Sequence, residues 1–283
     1  MGYYTGKNAI VTGAASGIGL GLCEELLEQG ANKIVMADYN ADNLATQALR
    51  LSKLYPRRIL ATQCNVTQES DVCNMIEGAN SFFGGVVDLL INCAGSSFAG
   101  IFTEAPNLDG LKSLEEDYVV QSNEKWHAAF ALNFYGALYG CRAVLPYMLA
   151  QKNGQIINII SGIAFMPMAY QSMYAATKAA LNAMTLSLRT EYWDAGIKFN
   201  SATPGTTATA IWKKKENIPA GALTPRQSAQ HILAGAEQNQ RLILGDEGDK
   251  DGAECAFSPS KAQAIDEYLL KVARTRRQGR WAI

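Results

Sequence analysis

The stretch that decides the fold is NAIVTGAASGIG, residues 8–19. A short apolar run leads into a glycine-rich turn, and a helical pattern begins directly after it. In such a strand–turn–helix unit, Gly13 permits the tight turn, Gly17 lets the backbone approach a pyrophosphate, and Gly19 lets helix and strand pack closely. The free N–H groups and the positive dipole end of the helix favour phosphates at this turn. The stretch therefore predicts a dinucleotide-binding site, provided that an acidic residue ends the next strand.

Strand and helix patterns alternate along most of the chain. Short apolar runs that are typical of buried parallel strands lie at 8–12, 33–38, 59–64, 88–92, 156–161 and 197–202. Helical patterns cover about 17–30, 41–53, 69–83, 124–150 and 172–194. This alternation predicts an α/β fold, a Rossmann-type doubly wound parallel sheet in three layers. No linker-like stretch divides residues 1–283, so we expect a single domain.

Three segments depart from this alternation. Residues 96–123 read as a loop insertion and 206–224 as a lid over the substrate. After a short apolar run, RLILG at 241–245, comes a charged loop, GDEGDKDGAE, and then a helix at about 259–275. The helix ends in the basic tail ARTRRQGR, residues 273–280, which we expect to be a solvated helix end that complements the dipole rather than a site for an anionic partner.

Composition excludes several classes of protein. The 283 residues are 48% hydrophobic and 18% charged, with a formal net charge of -1, as in a globular protein without a polyanion partner. The first residues have no basic segment followed by an apolar one, and no apolar run approaches the length of a membrane span. We therefore expect a cytoplasmic protein that binds neither nucleic acid nor membrane.

Cysteine and histidine usage gives no sign of a metal. None of the six cysteines forms a C-x-x-C pair, so we expect reduced thiols rather than disulfides or a zinc site. The two histidines, His127 and His231, are not near a second plausible ligand in the sequence. We expect no metal and no catalytic histidine.

The acidic residue that the glycine-rich turn requires is Asp38, at the end of the second predicted strand. A carboxylate there can accept hydrogen bonds from the adenosine ribose hydroxyls, and it would repel a 2′-phosphate. The turn offers Ala14, Ala15 and Ser16, and Tyr39 follows the acid, so no Arg or Lys is placed to receive that phosphate. This pattern favours NAD over NADP.

These motifs together resemble the single-domain short-chain dehydrogenase/reductase family across nearly all of residues 5–210. The family motif T-G-x-x-x-G-x-G is matched by Thr12 to Gly19, Asn65-Val66 replaces the usual Asp-Val, and NCAG at 92–95 matches N-N-A-G with Cys93 in place of an Asn. Pro204-Gly205 with Thr209 matches P-G-x-x-x-T, and Thr207 lies within reach. The resemblance implies cofactor contacts from Gly13, Ser16, Gly17, Ile18, Gly19, Asp38, Asn65, Val66, Cys93, Gly95, Tyr174, Lys178, Pro204, Gly205, Thr207 and Thr209.

The resemblance also implies a catalytic tetrad of Tyr174, Lys178, Ser161 and Asn133. In YAATK, residues 174–178, the tyrosine and the lysine lie one helical turn apart on the same face. Tyr174 would exchange a proton with the substrate oxygen while Ser161 hydrogen-bonds that oxygen, and Lys178 would bind the nicotinamide ribose. Asn133 would hold a water that links the lysine to solvent. We expect the neighbouring cation and the nicotinamide ring to lower the pKa of the phenol.

The substrate side of the predicted site is apolar. The residues concerned are Phe98, Ile101, Phe102, Phe165, Met166, Met168, Met173, Ile211 and Trp212. They suit a hydrophobic secondary alcohol or ketone, steroid- or lipid-like, although packing in the core or in an oligomer interface explains them equally well. The run M-P-x-A-x-Q-x-x-Y resembles hydroxyprostaglandin dehydrogenases, which makes Gln171 a third substrate contact beside Ser161 and Tyr174.

The favoured hypothesis is an NAD-dependent oxidoreductase of secondary alcohols and ketones. An NADP-dependent carbonyl reductase is the enzymatic alternative, and a nucleotide-binding regulatory protein without catalysis is the alternative from another class. The family resemblance further implies a homo-oligomer, a dimer or a tetramer.

Overall fold

In the computed structural model, which describes residues 2–104, 106, 108–112, 118–212 and 217–280, the strands form one seven-stranded sheet. The strands are β1 (Asn8–Thr12), β2 (Lys33–Asp38), β3 (Ile59–Gln63), β4 (Leu89–Asn92), β5 (Gly154–Ile159), β6 (Ile197–Ala202) and β7 (Leu242–Ile243). Their order across the sheet is β3-β2-β1-β4-β5-β6-β7, and every neighbouring pair is parallel. The predicted fold class, a doubly wound parallel sheet, is confirmed.

Ten α-helices connect or follow the strands within the described residues. They are α1 (Gly17–Glu28), α2 (Ala41–Leu54), α3 (Glu69–Phe83), α4 (Asp109–Lys112), α5 (Asn123–Phe130), α6 (Gly136–Gln151), α7 (Ser172–Glu191), α8 (Pro225–Glu237), α9 (Glu247–Cys255) and α10 (Ala262–Arg277). None of the helices in the described part of the chain is both long and apolar enough to cross a membrane.

The helices cover both faces of the sheet, which gives the three predicted layers. On one face, Leu22 and Leu26 of α1 pack with α2, α8 and the inward residues Ala9 and Val11 of β1. On the other face, Ile10 of β1 packs with α3 and α6. Successive strand residues point to opposite faces and both faces are covered, so all five residues of β1 are buried, including the polar Asn8 and Thr12 at its ends.

The edge strands differ from the central ones. We expected every strand to be buried on both faces. The residues of β3 are instead half-buried or exposed, because this strand has a neighbouring strand on one side only. The strand β7 forms the opposite edge and is two residues long.

Parts of the chain between β4 and α6 also depart from expectation. The predicted helix at 124–150 is two helices, α5 and α6, joined by a π-helical turn at Ala131–Tyr135. The insertion at 96–123 contains α4 and a bridge between Ile101 and Val120. Residues 105, 107 and 113–117 of this insertion, and 213–216 of the predicted lid, lie outside the described residues.

The C-terminal part corrects two expectations. The stretch read as a charged loop is largely the helix α9, with Asp246 as its N-cap and acidic residues in its first turn. Such a pattern is favourable at a helix N-terminus because carboxylates interact well with the dipole there. The basic tail is not uniformly solvated, since Arg276 of α10 has 0% exposure. The helix α8, which begins at Pro225 after the N-cap Thr224, was not predicted.

Candidate functional site

A groove of about 880 Å³ runs along the carboxyl ends of the central strands. Here β1 lies between β2 and β4, so the strand order reverses, and ligands of doubly wound sheets bind at such a point. Predicted cofactor residues that line it are Gly13, Ser16, Gly17, Ile18, Gly19, Asp38, Asn65, Val66, Cys93, Gly95, Tyr174, Lys178, Pro204 and Thr209. Lining residues that the sequence did not single out for the site are Cys64, Thr67, Ser96, Leu132, Ile159, Ile160, Ala208, Ala210 and Pro225.

The glycine-rich turn forms one end of this groove. Gly13 has φ +68°, a conformation that favours glycine, and a Cβ on Gly19 would overlap the carbonyl oxygen of Gly13. The helix α1 begins at Gly17 with Ser16 as its N-cap. The turn therefore keeps its backbone open at a helix N-terminus, as an anion site requires.

Asp38 is tied into the same turn. Its Oδ2 accepts a hydrogen bond from the Ala15 N–H at 3.0 Å, and its Oδ1 accepts one from the Asn40 N–H at 2.9 Å. The carboxylate therefore fixes the glycine-rich turn relative to β2 in addition to facing the groove.

Two predicted positions where the chain departs from the family pattern are held by local hydrogen bonds. The side-chain oxygen of Asn65 accepts from the backbone N–H of Thr67 at 3.2 Å and from its hydroxyl at 2.8 Å. The backbone N–H of Cys93 donates to Thr12 Oγ1 at 3.0 Å, and the next N–H donates to the same oxygen at 3.1 Å. The backbone at Cys93 is thus fixed by Thr12, whatever side chain the position carries.

At the other end, Tyr174 lines the groove, whereas Ser161 does not but lies close enough to influence the pKa of the phenol. Ser161 follows β5 and caps the short helical turn Gly162–Ala164, where its hydroxyl accepts from the Ile163 N–H at 3.3 Å. Burial raises the pKa of Tyr174, and a hydrogen bond with Ser161 acts in the opposite direction. The expected lowering of this pKa by the neighbouring lysine is not what the protein alone shows, because removal of the phenol from water dominates.

Lys178 lies one turn after the tyrosine and is buried. Its Nζ donates to the carbonyl oxygen of Ile159 at 2.8 Å, and burial lowers its pKa to about 8. A Cβ on Gly95 would lie 3.3 Å from this Nζ and 2.9 Å from Asn133 Oδ1, so both groups reach the groove wall at Gly95.

Asn133 sits on the π-helical turn between α5 and α6. Its Nδ2 donates to the Ser96 carbonyl at 3.0 Å and to Thr177 Oγ1 at 3.1 Å, and its Oδ1 accepts from the Ser96 N–H at 3.0 Å. These contacts hold the loop after β4 against α7. A π-helical turn at a functional position is common, because the extra residue re-aims the side chains around it.

The segment after β6 contributes only part of the predicted set. Pro204 and Thr209 line the groove, whereas Gly205 and Thr207 do not. The hydroxyl of Thr207 bonds with Pro204 O at 3.1 Å within the loop and with Ser228 Oγ of α8 at 2.7 Å. A contact between Thr207 and a cofactor stays a prediction.

The comparisons with known proteins agree with this geometry. A family model described as short chain dehydrogenase matches residues 7–219. The chain belongs to the short-chain dehydrogenase family. An uncharacterized oxidoreductase of Staphylococcus aureus (strain MRSA252) is 34% identical over 246 residues, which cover 87% of this chain and 97% of the relative.

Two solved structures of the family carry a nicotinamide cofactor. A short chain dehydrogenase from Burkholderia cenocepacia J2315 in complex with NADP is 26% identical, covers 95% of this chain and 99% of its own, and has a TM-score of 0.76. The L-sorbose reductase from Gluconobacter frateurii, complexed with NADPH and L-sorbose, is 27% identical, covers 87% and 97%, and has a TM-score of 0.74.

The predicted substrate side of this dehydrogenase is partly core. Phe165 and Ile101 are buried in hydrophobic clusters and Met173 is buried as well, as the core interpretation of these residues expected. Phe98 and Met168 instead pack beside Tyr174, where they form the apolar surroundings of the phenol.

Gln171 lies at the N-cap position of α7, three residues before Tyr174. Its Oε1 accepts a hydrogen bond from Arg276 Nη1 at 2.9 Å, and a second bond joins the same nitrogen to the Ala169 carbonyl at 2.8 Å. The C-terminal helix therefore holds the loop that leads to the tyrosine. A substrate contact through Gln171 stays a prediction.

The residues of the groove fit a nicotinamide dinucleotide. The acid at β2, the open glycine-rich turn at a helix N-terminus and the buried lysine beside Ser161 and Tyr174 follow one another along a single groove. When bound, such a cofactor accepts or donates a hydride, chemistry that protein side chains do not supply.

Proposed function

We propose that this dehydrogenase transfers a hydride between NAD and a hydrophobic secondary alcohol or ketone, with a proton exchanged at Tyr174. The observation that carries the proposal is the groove that runs from Asp38 to Tyr174 and Lys178, with Ser161 close enough to Tyr174 to influence the pKa of its phenol. A proton must leave or join the substrate oxygen as the hydride moves, and the phenol hydroxyl is the group placed for it.

The roles of the other residues follow from their contacts. Ser161 donates to the substrate oxygen and stabilises the negative charge that develops there. Lys178, held by the Ile159 carbonyl, supplies positive charge at the groove wall near Gly95 and binds the ribose hydroxyls. Asn133 holds the wall through Ser96, and we propose that it also carries the water of a proton relay.

Hydrophobic side chains beside the phenol support the proposed substrate class. Phe98 and Met168 pack against the cluster that contains Tyr174 and Ile163. An apolar wall with few polar groups favours a steroid- or lipid-like alcohol over a sugar.

NAD is the proposed cofactor because Asp38 faces the ribose end of the groove and Tyr39, which is 71% exposed, offers no positive charge. The second candidate is an NADP-dependent carbonyl reductase. It is supported by the L-sorbose reductase, whose structure contains NADPH.

The experiment that tests the proposal follows NADH absorbance with NAD as oxidant. Wild type and Tyr174→Phe are offered one panel of steroid, lipid, sugar and small aliphatic alcohols, and NADH binding is titrated separately by fluorescence. We expect turnover by wild type alone, reduced in the variant by about 10²- to 10⁴-fold, with NADH binding retained. Equal turnover by the two proteins would refute the role of Tyr174. Faster turnover with NADP than with NAD would favour the second candidate.

Assembly and location are further proposals. We propose a homo-oligomer, either a dimer or a tetramer, since α5 and the π-helical turn after it carry the aromatic side chains of Trp126, Phe130 and Tyr135 around a shallow pocket. Light scattering after size-exclusion chromatography measures the mass. Cytoplasmic residence is proposed as well, and cell fractionation tests it.

A further inference from the structure

The helix α9 brings acidic residues to the catalytic end of the groove. It begins directly after β7 and lies beyond residues 7–219, the part that the family model matches. Its N-cap Asp246 accepts a hydrogen bond from the Asp249 N–H through Oδ1 at 2.8 Å. Both carboxylates therefore sit in the first turn, on the side that faces the strand ends.

Two successive backbone amides of the loop after β6 bind these carboxylates. The Gly205 N–H donates to Asp249 Oδ2 at 3.1 Å, and the Thr206 N–H donates to Asp246 Oδ2 at 2.6 Å. The residue before them, Pro204, lines the groove. Hydrogen bonds from amides to ionised carboxylates are stronger than neutral ones, so this pair fixes the loop firmly.

Asp249 also contacts the loop that carries the catalytic serine. A Cβ on Gly162, the residue after Ser161, would overlap Asp249 Oδ1. Further along α9, a Cβ on Gly252 would lie 2.9 Å from Met166 Cγ. The helix is thus packed directly on the segment between Ser161 and Tyr174.

The charge of Asp249 acts on the catalytic phenol. After burial and the bond with Ser161, Asp249 is the next influence on the pKa of Tyr174, which it raises. Burial raises the pKa of Asp249 itself to about 6, a hydrogen bond with Thr203 opposes this, and the charge of Asp246 adds to it. Other titratable groups at this end are Lys178, the Glu247–Lys250 pair of α9, and His231 of α8, whose Nδ1 lies 3.0 Å from the Gly245 carbonyl oxygen.

We propose that Asp249 is a positioning residue for the hydride-transfer site, which ties the Pro204–Thr206 loop to the Ser161 loop and sets the negative charge near Tyr174. The proposal rests on the proposed function, since it assigns Tyr174 the proton transfer. It makes α9 part of the catalytic apparatus rather than an appended helix.

Two substitutions of Asp249 separate the effect of its charge on Tyr174 from its role as the hydrogen-bond acceptor that holds the loop after β6. Asp249→Asn keeps an oxygen for the Gly205 N–H and removes the charge, so we expect the pH profile of kcat/KM for alcohol oxidation to move to lower pH. Asp249→Ala also removes the acceptor, and we expect the dissociation constant of NADH to rise about tenfold, the effect of one charge-assisted hydrogen bond. Glu247→Gln is the matched control, because its side chain is 84% exposed and pairs with the exposed Lys250.

A purely structural role would not move the pH profile of Asp249→Asn. Superimposable profiles for wild type and this variant, together with unchanged NADH affinity in Asp249→Ala, would overturn the proposal. If Asp249→Ala does not fold, the proposal is tested by the pH profile of kcat/KM for Asp249→Asn alone. If no substrate is turned over, the proposed function fails, and NADH titration of Asp249→Ala still decides whether the carboxylate holds the loop.

Discussion

Cofactor choice is the property that a single charge should change most. Asp38 faces the groove where an adenosine ribose is expected, and a 2′-phosphate there would meet its carboxylate. Two unit charges about 5 Å apart interact by about 3 kcal/mol at an effective dielectric constant of about 20, and by less than about 1 kcal/mol in bulk water. Because Asp38 is half-buried, we expect about 1–2 kcal/mol, roughly a 5- to 30-fold change in the NAD/NADP preference.

The hydrogen bonds of Asp38 decide which substitution tests the effect of its charge on the NAD/NADP preference. Both oxygens of Asp38 accept backbone N–H groups, from Ala15 and Asn40, so alanine would leave two donors without their acceptors and loosen the turn. Asp38→Asn retains an acceptor and removes the charge. Adding Tyr39→Arg places a cation at an exposed neighbouring position, and we expect the double variant to prefer NADP.

The assay compares kcat/KM with NAD and NADP on one alcohol, and the dissociation constants of NADH and NADPH by fluorescence. Asp42→Asn is the control, because it removes one exposed acidic charge in the first turn of α2, outside the groove. An NADH/NADPH affinity ratio that is the same in wild type and Asp38→Asn, with NADH binding intact, would refute the assignment of the ribose end to Asp38.

Four more predictions concern stability and catalysis. Thr12→Val removes the acceptor of two backbone amides after β4, so the free energy of unfolding should fall by about 2–4 kcal/mol in denaturant titrations, whereas Thr12→Ser should stay within about 1 kcal/mol. Arg276→Leu should lower it by about 2–4 kcal/mol, because two oxygens before α7 lose their donor, while the exposed Arg274→Leu should have little effect. Gly95→Ala brings a methyl group 2.9 Å from Asn133 Oδ1 and 3.3 Å from Lys178 Nζ, so kcat/KM should fall about tenfold or more, and the melting temperature should fall as well because the buried Asn133 must shift. Burial raises the pKa of Tyr174, which keeps the phenol protonated near neutral pH, so kcat/KM for alcohol oxidation, which needs the phenolate, should still be rising with pH in the alkaline range. A kcat/KM for oxidation that does not change with pH in the alkaline range would contradict that assignment.

The sheet could be predicted because its central strands are buried on both faces. β1, β2 and β6 have the predicted bounds. β5 begins two residues before the predicted start, at Gly154. Its second residue, Gln155, is buried because its amide bonds with Asn200 and the Ala236 carbonyl, a tertiary pairing that periodicity does not show.

The C-terminal helices were harder to predict for different reasons. The start of α8 could have been predicted from the sequence. Thr224 and Gln227 form a capping box, and proline stands at the first helical position, Pro225. The helix α9 contains two glycines and few apolar residues, so its sequence lacks the hydrophobic periodicity that predicts a helix. The burial of Arg276 depends on contacts with a loop about a hundred residues earlier in the chain. The basic composition of the tail gives no sign of such contacts and indicates a solvated helix end.

At the catalytic end, the spacing of Tyr174 and Lys178 predicted that the two side chains lie together, but it did not predict the pKa shifts of the two groups. The four-residue interval correctly places Tyr174 and Lys178 on one face of α7, and the cation was expected to lower the pKa of the phenol. The structure shows that burial acts on both groups, raising the pKa of the tyrosine and lowering that of the lysine to about 8. Both shifts have the same cause, because removal from water disfavours whichever form is charged. The protein alone therefore favours a neutral phenol, and Asp249, which lies beyond the residues that the family model matches, increases that preference.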